Sequence, residues 1–227
     1  MVKFYVGLDL GQSSDYTALS VLEKLQQEGK IVYHIRRLER VRGESYPNII
    51  NKVITLIKSP ALQKSAVLVV DSTGVGAPVI DSFRAAGLKK LVSVFIHGGN
   101  DVTHEGLSYK VPKRDLVGVV KILLQNNRLL GSNDLKLVPL LQEELLNFNY
   151  KLNPLTAHDS YGCWREGIHD DLVLSVALAS WFGEHEPSPP AKFGLISLNP
   201  DQKIRPANRI PGTSPPPSRF PSYSRFF

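Results

Sequence analysis

The sequence predicts an α/β fold: a mixed sheet, made of an antiparallel three-strand meander continuing into parallel strands, flanked by helices and followed by a disordered proline-rich tail. Three observations predict it. Residues 2–9, 16–22 and 30–38 are β-prone runs separated by polar turns, which makes a meander. From residue 45 onward helical stretches alternate with all-apolar runs, the pattern of a parallel sheet covered on both faces. The last such helix, 167–182, is apolar nearly all round and belongs in a core.

The first run delivers Asp9 onto Gly11, at a position where a buried strand would carry Val or Ile. An ionised carboxylate there is costly unless a cation or several donors hold it, so Asp9 is a candidate site residue. The other reading is a strand-end aspartate that caps its own turn. Gly11 and the run Gln12, Ser13, Ser14 are expected to keep the backbone beside Asp9 open, and Asp15 to return close enough to support the same site. In the third run and just beyond it, Arg36, Arg37, Arg40 and Arg42 make a basic rim, either a solvated edge or a nucleic-acid contact.

Residues 45–58 read as the first helix, with Tyr46, Ile49, Ile50, Val53, Ile54 and Ile57 at helical spacing, Ser45 as N-cap and Pro47 in the first turn. Strand 66–70 is apolar on both faces and ends on Asp71, followed by Ser72, Thr73 and Gly74, so it repeats what happens at Asp9. A helix at 78–86 and a buried strand at 91–96 come next. Residues 97–108 read as a long glycine-rich loop leading to a helix that ends near Asn126, with Leu116, Val119, Val120 and Leu123 as its apolar stripe. Lys110, Lys113 and Arg114 cluster before and at that helix start, where cations oppose the helix dipole. They suit a phosphate backbone or, alternatively, a solvated helix end. A helix at 135–149 and a hairpin or irregular ribbon at 150–164 precede the final helix, which opens on His169, Asp170 and Asp171.

One aspartate satisfies the free amides and dipole of a helix N-terminus. A second, beside a histidine and opening the most buried helix, calls for another role. Asp9, Asp71, Asp170 and Asp171, converging at one end of a sheet, would form an oxygen-rich cage for hard divalent ions, Mg²⁺ or Mn²⁺. Two such ions could activate a water and stabilise the leaving oxygen in phosphodiester hydrolysis. His169 would orient the site or the DNA, or merely precede the helix. His97, His104 and His158 read as surface residues, and Trp164 and Trp181 as core.

Composition divides the chain into a folded domain, 1–186, and a tail, 187–227. The tail holds ten of the sixteen prolines and six Lys and Arg against one Asp, so it carries five of the six net positive charges. It cannot bury enough apolar surface to offset its ordering entropy. The single cysteine, Cys163, excludes a disulfide framework, and neither a signal peptide nor a membrane-length apolar stretch is evident, so a soluble protein of a reducing compartment, without membrane contact, is expected.

The motifs GLDLGQSSDYTALSV (7–21), VVDSTGVGAPVIDSF (69–83), YKVPKRDLV (109–117) and HDDLVLSVALA (169–179) together resemble the nuclease domain of the large terminase subunit of tailed bacteriophages, in the ribonuclease H-like superfamily. The resemblance spans about residues 5–182. It implies a metal-dependent endonuclease that cuts concatemeric double-stranded DNA during genome packaging, with two Mg²⁺ or Mn²⁺ ions. It implies Asp9, Asp71 and Asp171 as principal ligands, Asp170 as a second carboxylate at the last place, Asp15 as an outer ligand, and Lys110 beside the DNA. A full large terminase begins with a packaging ATPase, and no GxxxxGK[ST] loop occurs here. The chain then reads as the nuclease half of a split or truncated terminase, or as a free-standing nuclease of that lineage; the expected partner is double-stranded DNA, and in the split case also a separate packaging ATPase, the portal and the small terminase subunit. The setting would be the cytoplasm of a bacterial host, with a monomer in isolation. A junction resolvase of the same superfamily shares the acids. An actin-like or sugar-kinase-like ATPase shares the Asp9–Leu10–Gly11 and Asp71–Ser72–Thr73–Gly74 pattern, but that fold needs two such domains. A binding module that has lost catalysis is opposed by the intact acids.

Overall fold

Alternation along the central strands sends neighbouring side chains to opposite faces, and each face finds its own helices. In the computed structural model, residues 3–11, 15–74, 76–132, 134–149 and 169–186 are described. The chain runs β1 (Lys3–Asp9), β2 (Tyr16–Gln27), β3 (Lys30–Arg42), α1 (Tyr46–Ile57), β4 (Ala66–Asp71), α2 (Gly76–Ala85), β5 (Leu91–His97), β6 (Thr103–Glu105), β7 (Ser108–Pro112), α3 (Lys113–Gln125), β8 (Leu129–Gly131), α4 (Val138–Asn149) and α5 (Asp171–His185). The strands form one sheet in the order β6-β7-β5-β4-β1-β2-β3-β8. β1, β2 and β3 are the antiparallel meander, while β4, β5 and β7 continue it in parallel.

Tyr5, Val67, Val69, Val92 and Val94 pack toward α3, α4 and α5, and Val6, Leu8, Leu68 and Val70 toward α1 and α2. Helix α5 is buried from Asp171 to Gly183, as its all-round apolar sequence requires. It comes so close to β1 that a Cβ on Gly7 would stand 1.8 Å from the Ser175 carbonyl oxygen. Trp181 is in the core at 1% exposure. The far end of α5 is tied down by polar contacts. Lys3 Nζ and the Tyr5 hydroxyl donate to Glu186, Tyr33 and Arg128 donate to Glu184, and Lys24 Nζ reaches the Gly183 carbonyl.

Several elements differ from the sequence reading. β2 runs on to Gln27 because Glu23–Gln27 pair with Lys30–His34 in a ribbon turned at Glu28 and Gly29, both at positive φ, and β3 runs on to Arg42 because Glu39–Arg42 pair with Tyr16–Leu19. Arg40 and Arg42 are thus strand residues. The expected loop at 97–108 contains a hairpin, β6 against β7, turned at Gly106 with φ 58°. β6 is three residues long and exposed throughout, so nothing in its own residues announces it, while β7 buries Tyr109 and Val111 in too short a run to stand out. β8 is three residues long, too short to carry a period, and pairs with Tyr33–Ile35. The expected ribbon at 150–164, Cys163, His158, Trp164, the run Gln12–Ser14 and the tail 187–227 lie outside the described residues. No helix among the described residues is long and apolar enough to cross a membrane.

The contact at Gly7 predicts that Gly7→Ala forces α5 off the sheet. Its unfolding free energy, measured by urea titration, should fall by about 1–3 kcal/mol or more.

Candidate active site

Leu8 is in register with Val70, so Asp9 and Asp71, the last residues of β1 and β4, leave the sheet at the same end. The N-terminus of α5 brings Asp170 at its N-cap position and Asp171 as its first residue. The other three lie near enough to Asp9 for their charges to act on it. Burial is the largest influence on the Asp9 carboxyl and pushes its pKa well above 3.8; Asp71, Asp171 and Asp170 push it further, and Lys113 opposes them. Asp9 is 9% exposed, and among the described residues no donor is hydrogen-bonded to it.

Its neighbours are held individually. Asp71 Oδ1 accepts from the Thr73 amide at 2.8 Å and the Thr73 hydroxyl at 2.5 Å. Burial raises the Asp71 pKa, and those two bonds and Lys113 only partly offset it. Asp170 Oδ2 receives Lys113 Nζ at 2.9 Å. Asp171, 8% exposed, receives Arg40 Nε at 3.2 Å and Nη2 at 2.9 Å on its Oδ2, with His169 Nδ1 at 3.9 Å. Burial raises its pKa too, against the Arg40 hydrogen bond and charge. The Arg40 guanidinium lies over the Tyr16 ring, 3.7 Å from its centroid, and His169 meets the same ring edge-on at 4.9 Å.

The sequence reading missed two residues. Arg40 belongs to the site and not to a basic rim, whereas Arg36 and Arg37 pair with Glu23 and Glu39 at the exposed edge. The signal for Arg40 is cross-strand register. Asp9 pairs with Ala18, and Ala18 with Arg40, so the two charges flank one buried alanine. Glu144, on α4 and 3% exposed, accepts from the Val173 amide at 3.1 Å through Oε2, and its pKa is pushed up to about 7, chiefly by burial. Its other oxygen is 4.0 Å from Arg40 Nη2. Glu144 thus serves a free amide at the start of α5, and Asp170 makes no capping hydrogen bond. The capping role available to the two aspartates is met from another helix, and no sequence period signals that.

Other candidate residues disperse. Asp15 is exposed and borders a cleft with Gly11, Thr17 and Tyr46. Lys110 is exposed on β7, and Arg114 faces outward, donating to the Asn100 carbonyl at 3.1 Å and pairing with Asp115. Gly11 does not open the backbone beside Asp9. A Cβ there would stand 2.4 Å from the Tyr16 carbonyl oxygen, and the Gly11 amide donates to Thr17 Oγ1, so the glycine permits close packing of the turn.

An all-oxygen set of carboxylates from β1, β4 and α5, one of them buried, fits a hard divalent cation in kind. Among the described residues no three acidic, histidine or cysteine side chains stand together at ligand spacing; Asp170 and Asp171 are turned to Lys113 and Arg40, and Asp71 to Thr73.

Two outcomes follow for the chain in chelator. Arg40→Met strips a buried pair of its cation and should destabilise by about 3–5 kcal/mol in a denaturant titration, with Arg40→Lys recovering part. Asp9 binds its proton more tightly folded than unfolded, so its contribution falls as pH rises from the ordinary carboxylate range through the folded-state pKa. Asp9→Asn should therefore unfold at higher denaturant than wild type at about pH 8, and the difference should close toward about pH 4.

Searches against family models and curated proteins return no match. Among solved structures, the chain is similar to the large terminase nuclease from thermophilic phage G20c, at a TM-score of 0.53 and 21% identity, covering 81% of this chain and 82% of that one. It is also similar to the g2p large terminase nuclease domain from bacteriophage SPP1 with bound Mn, at a TM-score of 0.50 and 12% identity, covering 81% and 86%. Mixed sheet, flanking helices and strand order together establish that this chain has the ribonuclease H-like fold found in large terminase nuclease domains.

Proposed function

We propose that the protein is a divalent-metal-dependent DNA endonuclease of the terminase type, hydrolysing phosphodiester bonds of double-stranded DNA. The observation that carries this reading is the buried Asp9 carboxyl at the end of β1, on which Asp71, Asp171 and Asp170 all act. The fold shared with two terminase nucleases, one of them solved with Mn, supports it.

Asp9, Asp71 and Asp171 would hold two Mg²⁺ or Mn²⁺ ions, with Asp170 as an additional carboxylate. When bound, such ions activate a water nucleophile and neutralise charge on the phosphate and leaving oxygen. The remaining work falls to the chain. Thr73 fixes one oxygen of Asp71 and leaves the other for a ligand. Arg40, clamped on Tyr16, sets the orientation of Asp171. Lys113, hydrogen-bonded to Asp170 and near enough to act on Asp9, supplies positive charge to a backbone phosphate, and Lys110, exposed on β7, is a second cation for the DNA. The biological setting we assign is the cutting of concatemeric DNA in genome packaging, together with a packaging ATPase activity, a portal and a small terminase subunit.

The test is incubation of the purified chain with supercoiled plasmid, linear duplex and a four-way junction, in Mg²⁺, Mn²⁺ or chelator. Nicking and linearisation of plasmid are expected with metal and not in chelator. Asp9→Asn, Asp71→Asn and Asp171→Asn should each lower the cutting rate by at least about a hundredfold while keeping the circular dichroism of the fold. Wild-type rates in any one of them remove that residue from the ligand set. Cleavage confined to the junction would reassign the substrate.

A further inference from the structure

We propose that the groove beside Asp71 is a subsite for an unpaired nucleotide of the DNA, whose base stacks on Phe95. The proposal rests on the nuclease reading in taking DNA as the ligand. Strand β5 is buried from Leu91 to Val94, and then Phe95 emerges 44% exposed. An aromatic ring exposed on an interior strand leaves an apolar face in water, which a flat ligand would cover.

The surroundings specify that ligand. Phe95 is in register with Lys110 of β7, and the two border a groove of about 610 Å³ with Ser72, Thr73, Arg84 and His104. That volume is within the usual range for small-ligand pockets, about 300–1,000 Å³. Among the described residues Lys110 makes no ion pair, and Arg84 is engaged only by Asp81, at 3.1 Å on the exposed face of α2. Such a surface pair is weak enough to yield to a phosphate. Glu105, at the groove's edge, opposes these cations. An aromatic face with cations on its flanks is the arrangement that holds single-stranded nucleic acid, because every base has a π-face and every nucleotide a phosphate. A base inside a duplex is already stacked on both sides and cannot use it.

The platform is rigidly joined to the candidate metal ligands. The Ile96 amide donates to Thr73 Oγ1 at 2.7 Å, and the Thr73 hydroxyl donates to Asp71 Oδ1 at 2.5 Å. The Ser72 amide donates to the Val94 carbonyl at 2.8 Å. A base on Phe95 therefore sits at a fixed offset from Asp71, so the groove would select DNA with an unstacked nucleotide next to the cut.

The test is binding in chelator, where no cleavage depends on the result. A single-stranded oligonucleotide carrying 2-aminopurine is compared with the blunt duplex of the same sequence, for wild type, Phe95→Leu and Phe95→Tyr. Expected are quenching of the probe by wild type, single-strand binding weaker by about tenfold or more in Phe95→Leu with duplex binding unchanged, and recovery in Phe95→Tyr. Equal losses on both substrates, an unchanged single-strand affinity in Phe95→Leu, or no recovery in Phe95→Tyr would each overturn the proposal. A chain that cuts plasmid but binds independently of Phe95 sinks the subsite alone. One that binds through Phe95 but never cuts keeps the subsite and sinks the nuclease reading.

Discussion

The site is organised around the burial of the Asp9 carboxyl, which the fold tolerates at a cost. Burial and three neighbouring aspartates all act against ionisation at this one position. Ordinary domains avoid such crowding, since each uncompensated buried charge costs several kcal/mol or neutralises itself. Here the acids are surrounded by compensation drawn from separate elements: Arg40 from β3, Lys113 from α3, and Thr73 from the loop after β4. No element could be removed without leaving an acid uncompensated. The meander, the parallel strands and the core helix are the means of delivering these side chains to one place.

Division of labour at the start of α5 makes this possible. Helix N-termini attract carboxylates, and two aspartates there would ordinarily be spent on free amides. Glu144 reaches across from α4 to accept from Val173, so Asp170 and Asp171 face the cations and Asp9 instead. The accommodation is itself strained: Glu144 is buried, carries a raised pKa and leaves Oε1 without a hydrogen-bond partner among the described residues. A helix whose first turn is served by a neighbour is free to present its own acids to a ligand.

Much of this was legible in the sequence, and the limits have physical causes. Long periodic segments announced themselves: the runs that became β1, β4 and β5, the stripe of α1, and the all-round apolar α5. Carboxylates interrupting such runs pointed to Asp9, Asp71 and Asp171, because a charge in an apolar pattern is informative by its cost. What escaped was whatever depends on pairing across the chain. Arg40 looked like one of four arginines at an edge; only the registers Asp9 to Ala18 to Arg40 place it inside. β8 and the β6–β7 hairpin owe their existence to neighbours and not to their own residues. Lys110, Lys113 and Arg114 are close in sequence, yet a strand-to-helix change between Pro112 and Lys113 sends them to three environments.

The anchoring of α5 at its far end has a mechanical meaning. Glu184 and Glu186, held by Tyr33, Arg128, Tyr5 and Lys3, act as a mooring, and the Gly7–Ser175 contact acts as a detent along its length. A rigid rod fixed at its tail and notched nearer its tip cannot slide, so the reach of its tip is set in part by bonds made some twenty ångströms away, at about 1.5 Å per residue. The spacing of the acids across the cleft is thus a length standard kept at the opposite pole of the domain, shielded from whatever disturbs the mouth of the site.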